Sequence, residues 1–566
     1  MKSKAGFYIR NAIPALVVMA IVFMLPIGAV FLKAFSGGNR VGRILTDPYT
    51  WRILGFTILE STLSALISVV IAIPFAHFFS RYTFFGRRAI LTVSDAAFAI
   101  PAILAVLGFV IYYGNNGILN SFLNALGGKQ IRVRILYSFK AIILAHVYLN
   151  FPVTFSLITN ALVSMPDQEE KASKLLGASE IRTFFMVTLP KLSGTLMATF
   201  SLIFLFCFPS FLIVMSLGGN PRFFTLEAEI YKRTYTDVNP ASSAALSIFS
   251  FVVMTILLVI TGNGNRERRA HRKKSHPRNV KGKSKAAAIV LSIIIILFMA
   301  PPMLSILYRA FFNKDGVFTL KAWTDILRRS NSGAGTSISA VVNSLLVAAA
   351  ASYTAARMAC VVAMGSAKGK SPLIPLLTSL PMAVGSVSLG LGFSFLAARI
   401  PFRNTVLSFV LVFLAHLVVV MPFAVRTILP GARRIPQSLS LAARTMGASD
   451  KEVYRKVEYP LLKPYRRRAM AFAFALSLGE VNATLTLGEG KVTTIPVLIY
   501  KMINQYNYQG ASALAVILMA VAVTVFAVGI GLPALKASVT AFLPSIVNSS
   551  YPIIFPVRHI YGLLLL

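Results

Sequence analysis

The chain has 566 residues, of which 56% are hydrophobic types and only 13% are charged, against roughly 25% charged in average soluble domains. With a mean hydropathy of +0.73, it cannot build a water-facing surface, and its solvent is largely lipid. The formal net charge of +38 invites a nucleic-acid partner, but the placement of the basic residues on short loops between apolar runs excludes that reading.

Taken in chain order, runs of about 20 or more mostly apolar residues are long enough to cross a ~30 Å hydrocarbon core as helix. They fall near 12–34, 54–80, 89–113, 136–163, 194–217 and 242–262. The basic stretch "NRERRAHRKKSHPRNVKGKSK", Asn265–Lys285, follows, and a second set lies near 286–308, 335–365, 372–398, 405–430, 469–488 and 511–535. None shows the period-two alternation of a barrel strand, the other spanning solution. The first run is too long for a cleaved leader and no small-residue cleavage site follows it. Cys207 and Cys360 fall inside expected spans and suggest no disulfide framework. The expected fold is therefore an all-α polytopic membrane protein of about twelve transmembrane helices.

With the N-terminus placed in the cytoplasm, most Lys and Arg fall on cytoplasmic loops, as the positive-inside rule requires. The linker reads as a solvated tether near anionic lipid headgroups. The expected organisation is a first half over 1–262, a linker over 263–285, a second half over 286–536 and an unassigned tail over 537–566.

Two charged, amphipathic inserts interrupt the apolar runs: "EKASKLLGASEIRTFFMVTLP" from Glu170 and "SLAARTMGASDKEVYRKVEYP" from Ser440. Gly-Ala-Ser and the closing Pro recur at an offset of 270 residues (177 to 447, 190 to 460). "LAHVYLNFP" with His146 and Pro152 matches "LAHLVVVMP" with His416 and Pro422, and "EIYK" from Glu229 matches "LIYK" from Leu498, slipped by one residue. The chain is thus a duplicated six-helix unit. Both halves begin on the same side, so the pseudo-twofold axis stands along the membrane normal and leaves a pathway between halves. Each insert sits between the fourth and fifth spans of its half. Small residues on the inserts (Ala172, Ser173, Gly177, Ala178; Ala442, Ala443, Gly447, Ala448) let another backbone approach, and Gly permits a turn at positive φ.

The inserts resemble the loop of binding-protein-dependent ABC transporter permeases, roughly Glu-Ala-Ala, three residues, Gly, then a hydrophobic-x-Leu-Pro ending. The Glu position holds Lys171 or Leu441, with Glu170 one residue early in the first copy. The fused twelve-span form, with "IYYGNNGIL" from Ile111, "SLGGNPRFFTLEAEIYKRTYTDVNPASSAAL" from Ser216 and "FALSLGEVNATLTLG" from Phe474, is most similar to thiamine and thiamine-pyrophosphate permeases and next to iron(III) permeases. The resemblance implies a type I ABC importer permease of the bacterial inner membrane. Its loops, near 164–192 and 434–462, would dock on two cytoplasmic ATPase subunits, and an extracytoplasmic binding protein would deliver the solute.

"GSAKGKS", Gly365–Ser371, has one residue too few between its glycines for a phosphate-binding loop and reads as a solvated turn. ATP hydrolysis is then a partner's task, and the chain is expected to be no enzyme and to bind no cofactor or metal. Acids within expected spans are costly and mark candidate pathway positions: Glu60, Asp95 and Glu480, with Ser210 expected opposite Glu480. Phe208 and Phe211 are candidate stacking partners for a cationic cargo. His146 and His416 read as helix-packing residues. A twelve-helix secondary transporter would not need the paired inserts, and a lipid-linked glycosyltransferase would need clustered acids that the sequence scatters.

Overall fold

A computed structural model describes residues 2–36, 38, 40–96, 100–127, 133–219, 221–262, 278–280, 282–327, 337–369, 371, 373–401, 404–487 and 492–530. Most of the linker (263–277) and the tail from 531 lie outside the described residues. The described chain is almost wholly helical, as lipid demands, because a helix satisfies its own amides and carbonyls.

The first half contains α1 (Lys2–Phe35), α2 (Pro48–Arg81), α3 (Arg87–Ala96), α4 (Ala102–Tyr113), α5 (Phe139–Ser164), α6 (Gln168–Leu175), α7 (Leu189–Cys207), α8 (Leu226–Tyr235) and α9 (Pro240–Gly262). The second half repeats the order with α10 (Lys283–Phe311), α11 (Ser337–Gly369), α12 (Leu373–Ser379), α13 (Ser386–Ala397), α14 (Thr405–Arg434), α15 (Gln437–Thr445), α16 (Lys463–Leu478), α17 (Asn482–Leu487), α18 (Ile495–Asn504) and α19 (Tyr508–Ile530). A short parallel pair, Tyr82–Thr83 with Arg278–Asn279, ties the end of the linker to the end of α2.

Among the described residues, ten helices are long and apolar enough to cross a membrane, and α12 and α13 form a further pair bent by 85°. The departures from twelve straight spans have local causes. The run expected near 89–113 divides into α3 and α4, with Pro101 at the N-cap of α4. In the fifth run of the first half, α7 ends at Cys207, just before Pro209, which has no amide hydrogen to continue the ladder. In the second half the expected 469–488 span stops at Leu478, where Gly479–Val481 leave the helical path before α17. The "GSAKGKS" stretch is likewise no solvated turn through its first glycines: Gly365 to Gly369 close α11. A Cβ on Gly365 would stand 2.7 Å from that of Ala12, so the glycine serves helix packing.

Each half pairs its second and fourth spans tightly, α2 with α5 and α11 with α14. A buried stripe of Ala348, Ala351, Ala355, Ala359 and Ala363 lets backbones approach along α11. The first helices cross over: α1 packs on α11 and α13 of the second half, and α10 packs on α4 of the first. Two glycines make those crossings possible. A Cβ on Gly392 would lie 2.4 Å from the Pro26 carbonyl oxygen, and one on Gly108 would lie 2.6 Å from that of Pro302. The exchange welds the halves into one body, and the largest apolar core draws on both.

Candidate functional site: paired loops and broken helices

The two inserts fold alike. In the first, α6 ends at Gly177 in the left-handed region (φ 83°), and in the second α15 ends at Gly447 (φ 86°). The Ala178 amide donates to the Ser173 carbonyl at 3.1 Å and the Gly177 amide to that of Lys174 at 3.0 Å; Ala448 to Ala443 and Gly447 to Arg444 repeat the pattern at 3.1 and 2.9 Å. These bonds cap carbonyls that a helix end would otherwise leave open, and only glycine takes this position without strain. Ser179 and Ser449 then cap the restarting helix. A wider π turn, 184–188 or 453–458, carries the chain into the fifth span.

What the loops present outward was not read from the small residues. Leu175 and Leu176 are 88% and 89% exposed, and Met446 is 81% exposed. Of the small residues, Ala172 and Ala442 are exposed, Ser173 bonds Thr183 at 3.2 Å, Ala443 is buried, and Ala178 and Ala448 are half-buried. A Cβ on Gly177 or Gly447 would meet no atom of this chain within 4 Å. Both glycines are therefore explained by backbone angle rather than by internal crowding.

A carboxylate–hydroxyl bond braces each loop, with its ends exchanged. In the first half Glu170 accepts from the Thr188 hydroxyl at 2.5 Å and from Arg81 on α2 at 2.7 Å. In the second half the equivalent positions are Ser440 and Glu458 (170 to 440, 188 to 458), and Ser440 donates to Glu458 at 2.7 Å. The Tyr8 hydroxyl of α1 reaches both oxygens of the buried Glu458 at 2.9 Å. The acid that the second insert lacks after Pro436 is thus supplied 18 residues later, from the other side of the same contact.

The candidate pathway acids fare differently. Glu60 is fully buried on α2, bonded to Nδ1 of His146 and to Ser64 at 2.8 Å. Nε2 of His146 lies 2.8 Å from the Ser210 hydroxyl at the break after α7. Glu60 and Ser210 are therefore joined through His146 in one internal network. Glu480 does not pair with Ser210: its carboxylate accepts from the Ala483 amide at 3.0 Å, capping α17. Phe208 and Phe211 are each 1% exposed and lie within the core, Phe211 against Tyr231, so neither offers a free ring. Asp95 falls near the end of α3, its side chain outside the described part of the structure. In the second half His416 bridges Ser477 and Thr484, each at 2.8 Å. Among the described residues no group of three or more His, Cys, Asp or Glu is placed to hold a metal ion.

A duplicated, crossed-over helical body with one Gly-ended loop ahead of each fifth span defines a membrane permease. The sequence family described as binding-protein-dependent transport system inner membrane component matches twice, over residues 68–270 and 280–532, and the chain belongs to that family. It is similar to the thiamine transport system permease protein of Brucella abortus (strain 2308), with 29% identity over 87% of this chain and 89% of the relative. It is also similar to the proteins of that name from Escherichia coli K12 (26%; 85% and 89%) and Haemophilus influenzae (25%; 92% and 95%). The sulfate transport system permease protein CysW of E. coli K12 matches only 46% of this chain but 90% of its own length, at 26% identity. One half of this chain therefore corresponds to a whole permease elsewhere.

Proposed function

We propose that this chain is the fused translocation subunit of an ATP-driven importer for thiamine or its phosphate esters. The single observation that carries the cargo is end-to-end similarity to permeases named for thiamine, in which both halves take part and 85–92% of this chain is covered. The proposed organisation is 1–262 and 286–536 as the two permease halves, joined by a basic linker on the cytoplasmic side, with the N-terminus in the cytoplasm.

In this reading a binding protein on the outer face delivers the solute between the halves. Two ATPase subunits sit beneath the loops, where Leu175, Leu176 and Met446 supply exposed apolar surface that docking would remove from water. Closure of the ATPases pushes on α6 and α15. The Glu170–Thr188 and Ser440–Glu458 bonds make each loop move with the base of its fifth span, and the breaks after α7 and α16 let the far ends of those spans reorient. ATP chemistry belongs to the partner. This chain supplies the gate.

The test is uptake of labelled thiamine by vesicles holding the chain with its ATPase and binding protein. ATP-dependent accumulation, competed by thiamine pyrophosphate and not by iron(III), is the expected result. Accumulation of iron(III) without thiamine uptake would overturn the cargo.

A further inference from the structure

α8 lies at the end of the bundle away from the paired loops, because α7 leads from the loop and α9 returns toward the linker. It is anchored in the first half: the Leu226 amide donates to Thr57 at 3.2 Å, and the Thr225 hydroxyl donates to the Ser210 carbonyl at 2.7 Å. Between those anchors and the second half stands Glu227, only 1% exposed. Its carboxylate accepts from the Ser388 hydroxyl at 2.9 Å and the Ser388 amide at 3.2 Å. It thus closes the first turn of α13, whose free amides attract negative charge.

Two further features single out this contact. A Cβ on Gly385 would stand 2.0 Å from the Glu227 carboxyl carbon, so the glycine at the N-cap of α13 leaves the space that the acid fills. Tyr235, at the other end of α8, donates to the Thr486 carbonyl on α17. Among the described residues, the equivalent seam on the other side, where α18 meets α4, shows no such acid. In the register that aligns Glu229 with Leu498, Glu227 corresponds to Pro496, and Pro101 before α4 packs on Gly479.

We propose that Glu227 is a one-sided latch across the outer end of the seam, a positioning residue that holds α8 to α13 and releases when that end opens. The proposal rests on the alternating-access importer reading above. It differs from that reading in assigning the closed state to one carboxylate and one glycine of opposite halves.

The experiment uses the full complex in vesicles, with Glu227→Cys and Gly385→Cys introduced together; Cys207 and Cys360 are buried and stay as they are. The carboxylate fills the space beside Gly385, which sets the two Cβ positions near the separation that a disulfide needs. Oxidation is expected to join them, to lower ATP-driven uptake and ATP turnover by about tenfold, and to be reversed by dithiothreitol. Failure of the pair to cross-link in folded protein, or a cross-linked complex that turns over at the reduced rate, overturns the latch. Uptake by the reduced protein reports on the cargo separately, while ATP turnover scores the latch whatever the cargo. Ser388→Ala, which keeps α13 intact, is expected to raise ATP turnover in the absence of binding protein by about fivefold, the weight of one hydrogen bond; an unchanged basal rate counts against the proposal.

Discussion

In the first half, the loop ahead of the fifth span is braced by an acid at its start, Glu170, reaching a hydroxyl at its end; in the second, the hydroxyl Ser440 comes first and the acid Glu458 last. The surroundings differ as well. Glu170 keeps 24% exposure beside Arg81, whereas Glu458 is fully buried under Tyr8. A like contrast runs through the membrane: His146 holds a carboxylate, and His416 holds only hydroxyls. At the loops, duplication has kept a bond between two positions rather than the residues there, whereas the histidines have kept their place and changed partners. A carboxylate and a hydroxyl can trade places because the bond needs one donor and one acceptor, in either order.

The contrast between the histidines is the place to break this comparison most forcefully. His146→Leu leaves Glu60 buried without its partner and should cost about 3–5 kcal/mol, as loss of one member of a buried pair does. His416→Leu strands only two hydroxyls and should cost about 1–3 kcal/mol. Thermal unfolding of the two purified variants in detergent compares them; equal losses would mean that the carboxyl group in the first half carries no special weight.

A smaller difference is expected at the loop braces. Glu458→Ala strands Tyr8 and Ser440 in a buried site and should lower stability by about 2 kcal/mol, against about 1 kcal/mol or less for the partly solvated Glu170→Ala. The exchange itself can be sharpened by Glu170→Thr with Thr188→Glu, which imposes the second half's order on the first. The double variant should recover at least half of the uptake lost by Glu170→Thr alone. Uptake no better than the single variant would show that the order is not interchangeable.

How much of this was legible in the sequence follows from the kind of signal each feature leaves. The duplicated all-helical body, the paired loops and their glycines were readable, because hydrophobic run length and a fixed 270-residue offset are both local patterns, while the count of twelve spans exceeds the ten helices and one bent pair found among the described residues. The bends after Cys207 and Leu478 were signalled by Pro209 and by Gly479, yet run length alone passed over them. Glu60, Ser210 and Glu480 were found as unusual residues, but their hydrogen-bond partners were not, since which groups share a network depends on helix rotation, which hydropathy does not encode. The Ser440–Glu458 brace was hidden because it requires comparing positions 170 with 440 and 188 with 458 as pairs, while each alone looks like a mismatch. Glu227 and Gly385 lie in different halves, with no sequence pattern to join them.

Two finer predictions concern the loops alone. Gly177→Ala and Gly447→Ala each force a Cβ into the left-handed region, at about 1–2 kcal/mol, and should slow uptake similarly because the two turns share one geometry; a loss at only one would separate the loops in function. The smallest effect is expected at Glu452, which closes a capping box with Ser449 in the second loop, where the first has Arg182. Lys456, with the Ser449 amide and hydroxyl, holds its carboxyl down at about 2. Its contribution is therefore present above the ordinary carboxylate range and is lost only as pH falls toward that value. Glu452→Gln should leave the pH profile of uptake flat between pH 6 and 8, as in the parent; a new inflection there would contradict the assignment.

The central claim, that paired loops join this membrane body to an ATPase, is tested most directly by Leu176→Asp with Met446→Asp. Both side chains project away from the chain, so the doubly substituted protein should fold, insert and keep its melting temperature. The account predicts that the ATPase no longer co-purifies with it and that ATP-driven uptake is lost. A full complement of ATPase on the double variant, with uptake at the parental rate, would contradict the account.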